Sequence, residues 1–212
     1  METIPRHQCL IYEGSPSRQL PALAALVRQK LDENFRCLYM NSPVMVAGIR
    51  CYLAAAGIDI AHELEKTSLV LSSAQQHLIK GRFDVDRMMQ TLEDAMCKAL
   101  NDGYQGLWAT GDMTWELGPE KDFSKLLEYE WRLEEFFRTH PALSGICQYH
   151  ADTLPRETLR QGLVAHPSIF LNETLSRINP HHLRADSYRD QTAMNPELES
   201  MINRLCCCQD RT

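Results

Sequence analysis

The sequence contains no apolar run long enough to cross a bilayer. Such a run needs about 18 residues, and every apolar stretch in this chain of 212 residues is shorter. The opening residues METIPRHQ also lack the apolar core of a signal peptide. We therefore expect no transmembrane segment and a cytoplasmic location.

An excess of positive charge is absent as well. The chain has 22 lysine and arginine residues against 28 aspartate and glutamate residues, so its formal net charge is -6. Nucleic acids and anionic membranes attract basic surfaces. The composition therefore predicts no direct binding of nucleic acid.

Motifs for familiar catalysis are also missing. The sequence contains no GxSxG, HExxH or CxxC pattern. The segment Glu13 to Arg18 follows the first strand-like run but has one glycine and no lysine before Ser or Thr, unlike GxxxxGK[ST]. Because that lysine supplies charge to the phosphates, triphosphate hydrolysis is not expected. We assign no catalytic residue, and no cofactor is identified.

The eight cysteines do not form a disulfide framework. Five are scattered singly, several in apolar runs where a thiol behaves as a small hydrophobic side chain. His7 and Cys9 point to one side of a strand, and His150 could join them if the first and fifth strands are close. Zinc needs three or four ligands, so we favour a core role and predict no metal site. Cys206 to Cys208 could be acylated, oxidised or metal-bound, but chance clustering on a packed tail helix is favoured.

The apolar pattern predicts an α/β fold. Short apolar runs recur with helical patterns between them, which indicates βα units and a mostly parallel sheet of five to six strands with helices on both faces. The predicted strands are Gln8–Glu13, Arg36–Asn41, Thr67–Ser72, Gln105–Thr110, Ile146–Ala151 and, as a sixth, Ser168–Leu171. The predicted helices begin near Ser17, Ser42, Asp84, Asp122, Leu154 and Asn195.

The composition changes near residue 177. We expect a domain over residues 1–176, followed over 177–212 by a linker and an amphipathic helix that ends in the cysteine cluster.

The stretch GLWATGDMTW, residues 106–115, is the leading candidate for a binding site. An apolar run ends there in Asp112, and Trp115 follows. Ligands of parallel sheets gather outside the carboxyl ends of the strands. On the helix predicted from Asp122 to Thr139, Glu130 falls within the apolar face and Glu134 beside it. A carboxylate that faces a core usually has a partner.

Six motifs together resemble one known family. They are HQCLIYE, RCLYMN, GLWATGDMTW, LLEYEWRLEEFF, ICQYH and AHPSIFL, spread over about residues 5 to 175. In this order they resemble the methanogen/methylotroph sensory (MEDS) domain. The resemblance implies a RecA-like three-layer sandwich with a degenerate phosphate loop, and a module that senses small molecules such as hydrocarbon derivatives.

The resemblance also points to particular residues. The matching positions are His7, Tyr12, Gly111, Asp112, Trp115, Glu130, Cys147, Tyr149 and His166. We take Tyr12, Glu13, Asp112, Trp115, Glu130, Tyr149 and His166 as the candidate ligand-binding residues. The chain departs from the family where His150 follows Tyr149, since aspartate is common there.

We therefore expect a sensor without catalytic activity of its own. It would bind a small ligand at the carboxyl edge of the sheet and signal to a kinase or a transcription factor, with a homodimer as one assembly. Two alternatives stay open. One is a residual nucleotide hydrolase or phosphotransferase that uses Asp112 for Mg²⁺ and Glu130 as base. The other is a metal- or redox-responsive module.

Overall fold

A computed structural model describes residues 5–187 and 195–207, with the side chain of Cys207 left out. Within these ranges a seven-stranded sheet runs through the middle of the molecule, and its strand order is β3-β2-β6-β7-β1-β8-β9. Its strands are β1 His7–Tyr12, β2 Arg36–Met40, β3 Leu69–Ser72, β6 Leu107–Asp112, β7 Leu143–His150, β8 Ser168–Asn172 and β9 Leu175–Ile178. A separate hairpin pairs β4 Leu78–Ile79 with β5 Arg82–Phe83.

Helices cover both faces of this sheet. They are α1 Leu20–Asp32, α2 Pro43–Ala55, α3 Ile60–Glu65, α4 Val85–Asn101, α5 Met113–Glu116, α6 Leu126–Thr139, α7 Arg156–Ala165 and α8 Pro196–Cys207. The side chains of α1 and α2 share one core with one face, and those of α4, α6, α7 and α8 share a second core with the other. The predicted three-layer α/β fold with a mostly parallel sheet is confirmed.

Strand pairing is parallel except at one edge. β1 lies between β7 and β8, and β9 is antiparallel to β8. Within this sheet, β9 is the strand that the sequence pattern missed, and the short strands β4 and β5 of the separate hairpin were also not predicted. The two apolar residues of β9, Leu175 and Ile178, are about half exposed, so this short edge strand lacks the continuous apolar run that marked the others. It also crosses residue 177, where a linker was expected.

Local signals placed most helices well. The predicted caps Ser42 and Asp84 each accept a hydrogen bond from a backbone N–H of the first turn of their helix, as N-cap residues do. Asp59 caps α3 in the same way. The short helices α3 and α5 were not predicted, because four to six residues are too few to show a helical apolar period.

The final helix packs on the domain. α8 contacts α7 and β1, and Glu199 accepts hydrogen bonds from Arg156 at 2.8 Å and Arg160 at 2.6 Å. Cys206 is buried. The other two cysteines of the cluster, Cys207 and Cys208, lie outside the described side chains.

Candidate functional site

Strand alternation divides the candidate residues between the two faces of the sheet. In β1, Cys9 and Ile11 face α6 and α7, whereas Tyr12 faces α1 and α2. In β7, Cys147 and Tyr149 likewise belong to the α6 side. The structure therefore brings Tyr12 and Asp112 together in one place, and Glu130, Tyr149 and His166 in another.

The first place, which we call the carboxyl-edge group, consists of Tyr12, Asp112 and His150. The Tyr12 hydroxyl donates to one Asp112 oxygen at 2.8 Å, and the other oxygen accepts from the Trp115 N–H at 3.1 Å as the N-cap of α5. The His150 ring stacks on Tyr12, with centroids 4.8 Å apart. Burial raises the pKa of Asp112, although these hydrogen bonds oppose the shift. Both carboxylate oxygens are thus used within the fold.

The polar backbone groups of Gly14, in the loop after β1, are likewise bonded within the fold. The Gly14 N–H donates to the Asp152 carboxylate at 2.8 Å, and the Gly14 carbonyl lies 2.8 Å from His150 Nε2. Glu13 is exposed. The Gly14 N–H is therefore already bonded to the Asp152 carboxylate and is not free to donate to a bound phosphate.

Trp115 is partly buried and packs against the core that the sheet shares with α4, α6, α7 and α8. Its ring meets His77 edge-on at 5.7 Å, and the Gln75 amide donates to its carbonyl at 3.2 Å. The ring and the carbonyl of Trp115 therefore hold the segment after β3 against α5.

The second place, which we call the buried cluster, consists of His7, Glu130, Cys147 and His166. Their relative exposures are 1%, 0%, 6% and 0%. Four elements supply one residue each: the start of β1, the middle of α6, β7 and the residue after α7. One ligand-type atom from each residue lies within 4.8 Å of all the others.

Glu130 is the centre of the buried cluster. One carboxylate oxygen accepts from the Tyr149 hydroxyl, and the other lies 3.4 Å from both His7 Nε2 and His166 Nε2 and 3.7 Å from Cys147 Sγ. Burial alone would raise the pKa of Glu130, but the histidines and the hydroxyl outweigh it and lower the pKa. At neutral pH this residue is therefore a carboxylate.

The pKa values of the two histidines shift in opposite directions. Burial opposes protonation of His7, but hydrogen bonds to Glu130 and Glu134 outweigh it, so the pKa of His7 is raised. Burial and the neighbouring His7 charge lower the pKa of His166 to about 3. Burial also raises the pKa of the Cys147 thiol, with Glu130 adding to the shift.

Glu116 forms a third feature on this side of the sheet. It is buried, burial raises the pKa of its carboxyl well above the ordinary value, and no described residue gives its Oε2 a hydrogen bond. It borders a cavity of about 20 Å³, lined mostly by apolar side chains and by Cys147. Its other oxygen fits only because residue 111 is glycine, since a Cβ there would lie 1.5 Å from it.

Sequence reasoning did not select Glu116 or Cys147 as binding residues. Glu116 belongs to a helix too short to predict. Cys147 precedes Tyr149 by two residues, and that spacing puts both side chains on one face of β7, which is the signal that could have found it. Of the three residues considered as metal ligands, only His7 lies in the buried cluster. Cys9 pairs beside Cys147 in the sheet, and His150 lies with Tyr12.

Fold and site together define a three-layer α/β domain that keeps a charged cluster in its interior. The model of the MEDS family, described as MEthanogen/methylotroph, DcmR Sensory domain, matches residues 6–167. The chain belongs to this family of sensory domains, and the predicted resemblance is confirmed.

Two comparisons add to the family match. The chain is 23% identical over 164 residues to the transcriptional repressor DcmR of Methylorubrum extorquens. The match covers 77% of this chain and 59% of the repressor. In fold, it is similar to the uncharacterized protein PH0321 of Pyrococcus horikoshii, solved with an unknown peptide, with a TM-score of 0.54, 16% identity and 81% of each chain covered. Among the described helices, none has the length and apolar character to span a membrane.

Proposed function

We propose that this domain senses a small, weakly polar organic molecule, has no catalytic activity of its own, and passes the signal to a regulatory partner. Membership of a sensory-domain family supports the sensing role. The repressor relative supports an output through transcriptional control. The same proposal includes a RecA-like fold in which the segment Glu13 to Arg18 is a degenerate phosphate loop.

One observation carries the assignment of the site: Glu116 Oε2 is buried beside an apolar cavity and has no partner among the described residues. Buried polar atoms are nearly always hydrogen-bonded, so an orphan atom beside a cavity suits a ligand that can pair with it. Burial raises the pKa of Glu116 well above its ordinary value, which favours the protonated acid. It can therefore donate to a hydroxyl, carbonyl or halogen.

The cavity has room to adapt to such a ligand. Its free space of about 20 Å³ somewhat exceeds what one water molecule needs. Met40 and Met113 are among its lining residues, and methionine side chains shift readily to fit a guest. The ligand would touch α5 and α6, so either helix could transmit its presence.

This location refines the expected site at the carboxyl edge of the sheet. Asp112 and Trp115 would then support the site indirectly, because Asp112 caps the helix that carries Glu116. None of the seven expected binding residues lines the cavity, so the ligand would not touch Tyr12, Glu13, Glu130, Tyr149 or His166.

The nucleotide-hydrolase alternative is disfavoured. The chain lacks the phosphate-loop lysine, and the Gly14 amide is already bonded to Asp152. Both oxygens of Asp112, the expected Mg²⁺ ligand, are engaged internally.

A ligand screen by thermal unfolding tests the proposal. Short alcohols, halocarbons and nucleotides would be compared on the wild type, Glu116→Gln and Asp112→Asn. A ligand at about 100 times its Kd stabilises the folded state by about 2.7 kcal/mol, which raises the Tm of a chain of this size by roughly 5–10 °C. We expect an alcohol or halocarbon to give such a shift in the wild type and in Asp112→Asn, and a much smaller one in Glu116→Gln.

Other outcomes separate the alternatives. A shift abolished only by Asp112→Asn would return the site to the carboxyl-edge group. A shift with nucleotides alone, or with none of these compounds, would overturn the proposal.

A further inference from the structure

We propose that the buried cluster is a tetrahedral zinc site, with His7 Nε2, His166 Nε2, Cys147 Sγ and one Glu130 oxygen as its four ligands. This inference does not depend on the small-molecule ligand proposed above, because the metal ligands and Glu116 are different residues.

The distances within the cluster are those of a metal site before the ion enters. Zinc lies about 2.0–2.3 Å from N, O and S ligands, so the ligand atoms of a tetrahedral site lie about 3.3–3.7 Å apart. Here Glu130 Oε2 lies 3.4 Å from each histidine Nε2 and 3.7 Å from Cys147 Sγ, and Cys147 Sγ lies 3.5 Å from His7 Nε2. Four of the six edges of the tetrahedron therefore already have the required length.

The outer atoms of the ligands are held as in known zinc sites. Histidine ligands usually donate their second ring N–H to a carboxylate or a backbone carbonyl. His7 Nδ1 lies 2.8 Å from the Glu134 carboxylate, and His166 Nδ1 lies 2.6 Å from the Gly162 carbonyl. Tyr149 donates to the Glu130 oxygen that points away from the cluster. These contacts turn both Nε2 atoms and one carboxylate oxygen toward the same point.

His166 shows why an ion is needed there. Its Nδ1 faces a carbonyl that can only accept, so Nδ1 carries the proton and the neutral ring has a lone pair at Nε2. No described residue gives this buried Nε2 a hydrogen bond, and its near neighbour is a Glu130 oxygen. Two acceptors that face each other in a buried space repel, and a cation between them would convert the repulsion into two bonds.

Charge and access fit a divalent ion. A thiolate and a carboxylate with two neutral imidazoles carry two negative charges, which a divalent cation balances without leaving net charge in the core. Metal coordination deprotonates a thiol. A surface groove of about 530 Å³ reaches His7 and Glu134 from outside, and offers a route for the ion. With all four positions filled by protein, the site is of the closed, structural type.

Metal analysis of the full chain, purified without a histidine tag, tests the site. We expect close to one equivalent of zinc, or saturable binding of one equivalent of Zn²⁺ after treatment with EDTA. Co²⁺ in the same site should give the visible bands of a tetrahedral ion and a thiolate-to-cobalt charge-transfer band in the near ultraviolet.

Two neighbouring cysteines provide the matched comparison. Cys9 and Cys147 are buried and paired across β1 and β7, but only Cys147 belongs to the cluster. Cys147→Ser should abolish the charge-transfer band, and Cys9→Ser should keep it. If Cys147→Ser does not fold, the wild-type Co²⁺ spectrum decides alone.

The inference is overturned by less than about 0.1 equivalents of zinc together with no saturable uptake of Zn²⁺ or Co²⁺. It is also overturned by a Co²⁺ spectrum without a thiolate band, or by one that Cys9→Ser changes as much as Cys147→Ser. Zinc binding combined with a failed ligand screen would reject only the proposed ligand, and the reverse result would reject only the metal.

Discussion

The carboxyl-edge group and the buried cluster lie on opposite faces of one sheet and contain similar side chains, yet they differ in how fully their polar atoms are used. In Asp112, one carboxylate oxygen accepts the hydrogen bond of the α5 cap and the other accepts from the Tyr12 hydroxyl. In the buried cluster, His166 Nε2 keeps a lone pair without a hydrogen bond from any described residue.

This difference separates a structural role from a binding role. A polar group whose bonds are all made inside the fold can be explained by folding alone. A buried group left unpaired costs free energy, and its persistence points to something that pairs with it. We infer that Asp112 mainly supports the fold, while β1, α6, β7 and the residue after α7 assemble the charged interior.

The largest difference should appear when the central carboxylate of each region is removed. Glu130→Ala leaves His7, whose pKa is raised, without its buried partner. Breaking such a buried pair lowers the free energy of unfolding by about 3–5 kcal/mol. Asp112→Ala removes a cap and one hydrogen bond, which together cost about 1–3 kcal/mol. Urea unfolding with EDTA present measures both free energies of unfolding without any contribution from metal. An equal or larger loss in Asp112→Ala would contradict the comparison.

A smaller effect is expected from Gly162→Ala, which tests how tightly α7 is held against the buried cluster. A Cβ at residue 162 would lie 2.5 Å from the Tyr149 ring, and such overpacking costs about 1–3 kcal/mol. Gly48→Ala is the control. Its Cβ would meet only the end of the Leu20 side chain, and alanine is favoured over glycine in a helix by about 1 kcal/mol. Equal unfolding midpoints for the two variants would show that α7 has room to move.

The effect of Glu116 on stability is the smallest when it is counted per pH unit, and the charges of Glu130 and Asp112 both act on this residue. Because its pKa is raised in the folded state, the folded protein keeps a proton that the unfolded chain releases. Stability is therefore greatest below the ordinary value of 4.5 and falls as the pH rises, by up to about 1.4 kcal/mol per pH unit. Glu116→Gln removes this loss.

We thus expect the stability of Glu116→Gln relative to the wild type to grow from pH 5 upward in chemical denaturation. Glu173→Gln, a change at an exposed residue, should leave the pH profile unaltered. A constant difference between Glu116→Gln and the wild type across this range would mean that the carboxyl is not buried as a neutral acid.

Much of the fold could be predicted because its signals are local. Residues adjacent in sequence form the apolar runs of β1, β2, β6 and β7. The caps Ser42 and Asp84 also lie next to the helices that they begin. β9 and α5 were missed because each is too short or too exposed to form a pattern. Glu130 was recognised as unusual, since its position within the apolar face of α6 was readable from the helical period. Its partners His7 and His166 come from segments more than 30 residues away in sequence, so no local pattern could join them to it.

The sequence by itself determined the alternation of strands and helices and the position of Glu130 on an apolar helix face, because both depend on periodicity along the chain. Its six motifs carried the resemblance to the family. Only the tertiary structure decided which face of the sheet each candidate residue occupies and which residues meet. Successive side chains of a strand point to opposite faces of the sheet. His7 and Tyr12 are five residues apart, an odd number, so they lie on opposite faces and belong to different sites. The parallel order β7-β1-β8 then brings His7 beside Cys147 and His166, and that neighbourhood is a property of the sheet rather than of any segment.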